Sequence, residues 1–323
     1  MIYLPRLLIL LSLALAIETS AQTRVPMGKI PAGLAPDVRR QIEVLYSKDS
    51  GKVIEAAEKL GEMGARAAPA IPFLISLLRY HGLECFQAGA DKVCVFDVSA
   101  DTASEALARI GTHSIEPLRV GLGSLDEDVR RWVSITLARI SDPVATEILM
   151  TTIRNPSSPA RKEVARGLGY STAPRAVEVL ATALKDQDPQ LRYSVANGLG
   201  RSNDLRAVAP LLLALRDEDA DVRSAAAGGL TNKKDPRVVP ALIAALKDES
   251  LKVKKSAALS LGRIRNPAAI EPLIDLLASD PDKDVRFRAD YSLQEITGRR
   301  MGSDPAKWRE WWQKQKPTPN PLQ

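Results

Sequence analysis

The sequence predicts an all-α array of about eight repeated helix pairs, closed by a further helix that caps its C-terminal end. Three observations carry this. Candidate helix N-caps recur at Asp126, Ser157, Asp188, Asp219, Ser250 and Asp282, in steps of 31, 31, 31, 31 and 32 residues. A basic column (Arg130, Arg161, Arg192, Arg223, Lys254, Arg286) and two leucine columns, Leu137 to Leu293 and Leu118 to Leu273, keep the same period. The composition is that of helices, since 45% of the 323 residues are hydrophobic but only 4% aromatic, with Ala, Leu and Arg dominant. Columns that hold one period over such a distance mark a repeat array, whose units bury their apolar faces on their neighbours rather than in a central core.

The chain opens on Met1 to Pro5 without charge, then Arg6, then a largely apolar run of eleven residues from Leu7 to Ile17, followed shortly by Thr19-Ser20-Ala21. Eleven residues fall short of the ~20 that span a bilayer, and the small residues at 19 and 21 fit a secretory cleavage rule. Residues 1–21 are therefore expected to be a signal peptide, which places the mature chain in the periplasm or outside the cell. A retained anchor or a buried helix is the alternative. Residues 22–34, with Pro26, Gly28, Pro31 and Gly33, read as a linker, and 35–296 as the array. Ala35 to Tyr46 opens it as a cap, with Val38, Ile42 and Leu45 at helical spacing.

The first clear pair of helices, Lys52 to Gly64 and Ala68 to Tyr80, is followed by an insertion of about 16 residues within 81–100. It holds both cysteines, Cys85 and Cys94. In an exported chain such a pair reads as a disulfide, and Val93, Val95 and Phe96 beside Gly89-Ala90-Asp91-Lys92 suggest a short hairpin. Two thiols with His81 are too few for a metal site. The insertion serves either as a tolerated, stapled excursion or as a recognition loop.

From Ala103 the repeats run on without interruption. Asp188 is followed by Pro189 at the first helical position, and Pro210, Pro240 and Pro272 fall in the opening turn of second helices, where a missing N–H costs little. Two helices of about a dozen residues in a 31-residue repeat leave only short turns, so successive helices must pack antiparallel. The pattern Asp-x-x-Val-Arg-x-x-Ala-x-x-x-Leu, seen from Asp219 to Leu230, and the following Val238 to Asp248 resemble the HEAT-like repeats first recognised in phycobilisome lyases. Thr231 stands where that pattern carries Gly. The resemblance covers about Ala35 to Leu293 and implies a right-handed α-solenoid whose second helices line its concave face.

The end departs from the repeat. Asp304 and Pro305 start a helix within 297–316 on which Trp308, Trp311 and Trp312 share one face. The expected role is a cap over the last repeat, as arrays require for solubility; an aromatic ligand platform is the alternative. Residues 317–323, with three prolines, are expected to be a disordered tail.

The basic column at the start of first helices opposes the helix dipole and needs a partner. An aspartate stands six residues earlier in four repeats: Asp186 before Arg192, Asp217 before Arg223, Asp248 before Lys254 and Asp280 before Arg286. A structural ladder tying adjacent repeats together is expected, as the resemblance also implies. A second basic set, Arg154, Lys185, Arg216 and Lys247, closes second helices, with Arg79 as a possible extension. Helix-end electrostatics explain it as they stand; if second helices face inward, the four also form a partner-binding strip.

No catalytic residue, cofactor or metal is expected. His81 and His113 are the only histidines and neither is followed by Glu, so the His-Glu pairs of deoxyhypusine hydroxylases, which share this repeat type, are absent. Gly167-Leu168-Gly169 and Gly198-Leu199-Gly200 keep the repeat register and form no phosphate loop, and no Gly-x-Ser-x-Gly elbow occurs. The excess of 45 basic over 39 acidic residues, a formal +6, favours anionic partners only mildly. The expected function is a monomeric, non-enzymatic protein-binding scaffold acting through the concave face, with no membrane span in the mature chain. Binding of an anionic polymer, nucleic acid or envelope polysaccharide, through the basic strip is the alternative, and a lyase-like or hydroxylase-like enzyme ranks behind both.

Overall fold

A computed structural model describes residues 25–78 and 99–315, with the backbone of 83–88 and 91–96. The described residues are all-α helix-pair repeats of the α-solenoid class with one inserted hairpin. They divide into two compact units, Met1–Val179 and Leu180–Gln323. The expected signal peptide and disordered tail, together with His81 and Arg79, lie outside the described residues.

In the first unit, α1 (Pro36–Val44) packs on α2 (Ser50–Glu62), and Val25 accepts a hydrogen bond through its carbonyl from the Tyr46 hydroxyl. Val25 is therefore held near the end of this first helix, and a 3-10 turn follows it at Met27–Lys29. The helices α3 (Ile71–Leu77), α4 (Ser99–Ile110), α5 (Ile115–Gly121), α6 (Glu127–Arg139), α7 (Pro143–Arg154) and α8 (Arg161–Leu168) follow, and α9 (Pro174–Ala183) straddles the division. First helices α2, α4, α6 and α8 stack in succession. The insertion forms β1 (Leu83–Ala88) and β2 (Asp91–Phe96), antiparallel, with Cys85 directly opposite Cys94 in the backbone register. The expected hairpin is present; the thiols, and so the expected disulfide, lie outside the described residues.

The second unit stacks first helices α10 (Pro189–Arg201), α12 (Ala220–Gly229), α14 (Leu251–Ile264) and α16 (Lys283–Thr297), paired with α11 (Val208–Ala214), α13 (Val238–Ala245) and α15 (Ile270–Ser279). Both leucine columns are fully buried, from Leu118 at 0% to Leu293 at 0% exposure. Small residues set the distance between stacked first helices: a Cβ on Gly200 would lie 2.6 Å from the Cα of Gly229. Alanine at either position would force two backbones apart.

Capping follows the sequence with two differences. Asp126, Asp188, Asp219 and Asp282 accept the expected backbone N–H bonds, whereas Ser250 occupies the N-cap without a side-chain bond. Ser157 is not a cap: α8 begins only at Arg161, after Ala160. Between Pro156 and Pro159 the chain winds into turns, in which Asn155 Oδ1 accepts from Ser157 N and Ser158 Oγ from Ala160 N. Local side-chain bonds there replace the helical start.

The last helix, α17 (Pro305–Gln315), is capped by Asp304 and packs on α15. Trp308 is 0% exposed and donates through Nε1 to Asp290 Oδ1 at 3.1 Å and the Gly302 carbonyl at 2.9 Å. Trp311 meets it edge to face at 6.1 Å, but Trp311 and Trp312 are only half-buried, so Trp308 alone plugs the core.

Candidate functional site

The two basic columns differ in kind. Arg192 is 6% exposed and uses every N–H it has. Nε and Nη2 grip Asp217 Oδ2 and Oδ1 at 2.9 Å each, Nη2 also reaches Glu218, and Nη1 donates to the carbonyls of Asp186 and Gln187. Arg223 repeats the arrangement on Asp248 at 2.8 and 3.0 Å, Glu249, and the carbonyls of Asp217 and Glu218. A guanidinium has five N–H donors, so both are saturated and neither can hold a ligand. Lys254 completes the series with Nζ 2.5 Å from Asp280 Oδ2.

The column does tie adjacent repeats together, through the aspartate that follows each basic residue by 25 or 26 positions and not the one six before it. The carbonyls of Asp186, Asp217 and Asp280 accept from the arginine six residues on, whereas the carboxylates of Asp217 and Asp248 serve the arginine 25 residues earlier and that of Asp280 serves Lys254, each in the preceding repeat. Each aspartate also accepts the N–H two residues on, as Asp217 Oδ1 does from Asp219 at 2.9 Å, and so orients the next N-cap. One residue thereby shapes its own turn and clamps its neighbour. Arg286, in the final repeat, keeps its bonds to the carbonyls of Asp280 and Pro281.

The charges respond accordingly. Hydrogen bonding to Asp217 raises Arg192 above its ordinary value against the effect of burial, and Asp248 does the same for Arg223. At Asp248 burial pushes the carboxyl up, but the bonds from Arg223 and from Ser250 N prevail and hold it below the usual range.

In the first unit the ladder changes. Asn155 stands 31 residues before Asp186, in the aspartate column. Arg130 instead faces Glu163, 1% exposed, with its Nε 3.7 Å from Oε2. Neither carboxylate oxygen of Glu163 has a hydrogen-bond partner among the described residues. Sequence columns miss this pairing because other repeats carry Ser194, Ala225 and Ser256 at the Glu163 position.

Arg154, Lys185, Arg216 and Lys247 are all exposed, and none makes an ion pair among the described residues. Arg154 closes α7 in the first unit. In the second, Lys185, Arg216 and Lys247 follow α9, α11 and α13 in one conformation, each N–H bonding to the carbonyl three residues back, of Thr182, Leu213 and Ala244 at 3.1, 2.9 and 3.1 Å. Lys185 lines an open depression of about 530 Å³ with Leu184, Gln187, Arg192 and Glu218. Beside this row stands Leu213, 70% exposed, one turn before Arg216. No sequence column marks Leu213, because Thr182 and Ala244 occupy its position in the adjoining repeats.

Among the described residues no cluster of three or more His, Cys, Asp or Glu could hold a metal ion, and no helix is long and apolar enough to cross a membrane. His113 is exposed in a 3-10 turn.

Residues 151–227 and 208–294 match the family of HEAT repeats. No curated protein sequence matches the chain. Among solved structures, human deoxyhypusine hydroxylase in complex with glycerol is 19% identical, covering 81% of this chain and 96% of its own, with TM-score 0.34. The CpcE–CpcF complex of phycocyanin lyase from Nostoc sp. PCC7120 is 19% identical, covering 90% and 99%, with TM-score 0.32. A designed armadillo repeat protein in complex with the peptide (KR)4 is 16% identical, covering 81% and 100%, with TM-score 0.37.

Proposed function

We propose that the chain is a non-enzymatic scaffold that binds a partner protein on the face presented by its second helices, with the cations that close those helices as polar contacts. One observation carries this reading: every ladder cation of the second unit is tied to the fold, whereas Lys185, Arg216 and Lys247 are exposed and without ion pairs at one position of successive repeats. A rigid surface made of the same contact several times over binds with little ordering cost. The Leu7 to Ile17 run supports an exported setting, periplasmic or secreted. In that setting a disulfide between Cys85 and Cys94, which the hairpin register sets opposite each other, is proposed as the staple of the insertion. Alkylation of both thiols only after reduction tests it.

A photo-cross-linking amino acid placed at Leu213 tests the scaffold reading in the native extract. The expected result is capture of one protein by the otherwise wild-type chain and its loss when Arg154, Lys185, Arg216 and Lys247 are changed to Ser. Equal capture by both chains would place binding elsewhere. The anionic-polymer reading has its own signature, a steep loss of binding with added salt.

A further inference from the structure

Second helices of adjacent repeats, as α11 and α13, pack side by side; such helices lie ~8–10 Å apart. Arg216 and Lys247, fixed at one position of these two helices, are therefore spaced by about the same distance, and Lys185 holds the same position and backbone conformation one repeat earlier. A polyproline II chain rises ~3.1 Å per residue with three residues per turn, so every third side chain returns to one face after ~9.3 Å. A β-strand alternates faces every residue and would turn every second carboxylate of such a series away. We infer that Lys185, Arg216 and Lys247 bind a polyproline II segment of a partner protein that carries carboxylates at every third position, i, i+3 and i+6. This inference rests on the protein-binding reading above.

Further observations narrow the ligand. Within the second unit the row holds three cations and ends after Lys247, because Ser279 follows Lys247 in the next repeat and the exposed Asp275 on α15 is tied to Arg309 of α17 at 2.8 Å. The footprint is thus about seven residues. Leu213, flanked at its position by Thr182 and Ala244, offers an apolar contact next to the central carboxylate, which a partner side chain can use and a phosphate or sulfate polymer cannot. Glu218 and Glu249, two residues past Arg216 and Lys247, have side chains 86% and 89% exposed. Each spends its charge on a ladder arginine, Arg192 or Arg223, and a peptide can set a neutral or basic residue beside it.

The test uses the full chain, its K185S/R216S/K247S variant, and two fluorescent proline-rich peptides of identical composition, one with Glu at i, i+3 and i+6, the other at i, i+2 and i+4. The spaced peptide is expected to bind roughly tenfold more tightly than the other and to lose that advantage on the variant, since each exposed pair adds a modest factor. An unchanged melting temperature confirms that the variant is folded. Equal affinities, or heparin binding that depends on the row when neither peptide binds, overturns the inference. Panning a random 12-residue display library on both chains separates the two levels. Row-dependent binders without acids at every third position defeat only the spacing; an absence of row-dependent binders defeats the protein-binding reading as well.

Discussion

Arg192 and Asp217 stand 25 residues apart and meet through two parallel bonds of 2.9 Å, with side chains 7% and 11% exposed. Removing one partner of so enclosed a pair leaves a buried charge without compensation, at a cost of ~3–5 kcal/mol. Arg192→Ala is expected to lower the denaturation midpoint of the second unit accordingly. Arg192→Met with Asp217→Leu is expected to recover much of the loss, because no charge is then stranded.

At the irregular rung, Glu163→Ser strands Arg130. Adding Asn155→Asp is expected to restore stability in that background by returning the carboxylate to the column used elsewhere, and to give little in the wild type, where Glu163 already supplies the charge. A double-mutant cycle on thermal unfolding reads the difference.

Trp308 plugs the last repeat. Trp308→Ala opens a large cavity and leaves the Asp290 carboxylate without its indole donor, with an expected loss of ~3–5 kcal/mol. Hydrogen exchange should show faster opening of α15 and α16, while α2 and α4 keep their protection.

Acid is expected to act on the ladder. Asp248 has a folded pKa below its ordinary value, so the folded state binds its proton less readily than the unfolded chain. Its stabilisation is therefore complete above the ordinary carboxylate value of ~3.9 and is lost as pH falls through the lower folded value. Unfolding monitored from pH 6 to pH 2 should show a steepening below about pH 4, reduced in Asp248→Asn.

The period, both leucine columns and the end cap are legible in the sequence because burial and capping repeat the same residue types: Leu199 and Leu230 are both 0% exposed, and Asp188 and Asp219 both cap. The ladder's residues are legible too, but not its pairing. Asp186 is nearer in sequence to Arg192 than Asp217 is, and only the stacking of repeats brings the later carboxylate within reach. Glu163 and Leu213 escape a column reading because each is peculiar to one repeat. Lys233 does so as well. Only 7% exposed, it occupies the column of Ile140 and Ile264 and donates to the Ser202 carbonyl. Ser157 misleads because the prolines around it hold the chain in turns.

The central claim is a division of labour between cations that build the fold and cations that meet a partner. Its most direct test places K185S/R216S/K247S beside Arg223→Ala, measuring thermal unfolding and capture through a cross-linker at Leu213 for each. The triple variant is expected to melt with the wild type and lose capture, and Arg223→Ala to melt markedly lower yet still capture below its transition. A triple variant that unfolds early, or that captures as well as the wild type, would contradict it.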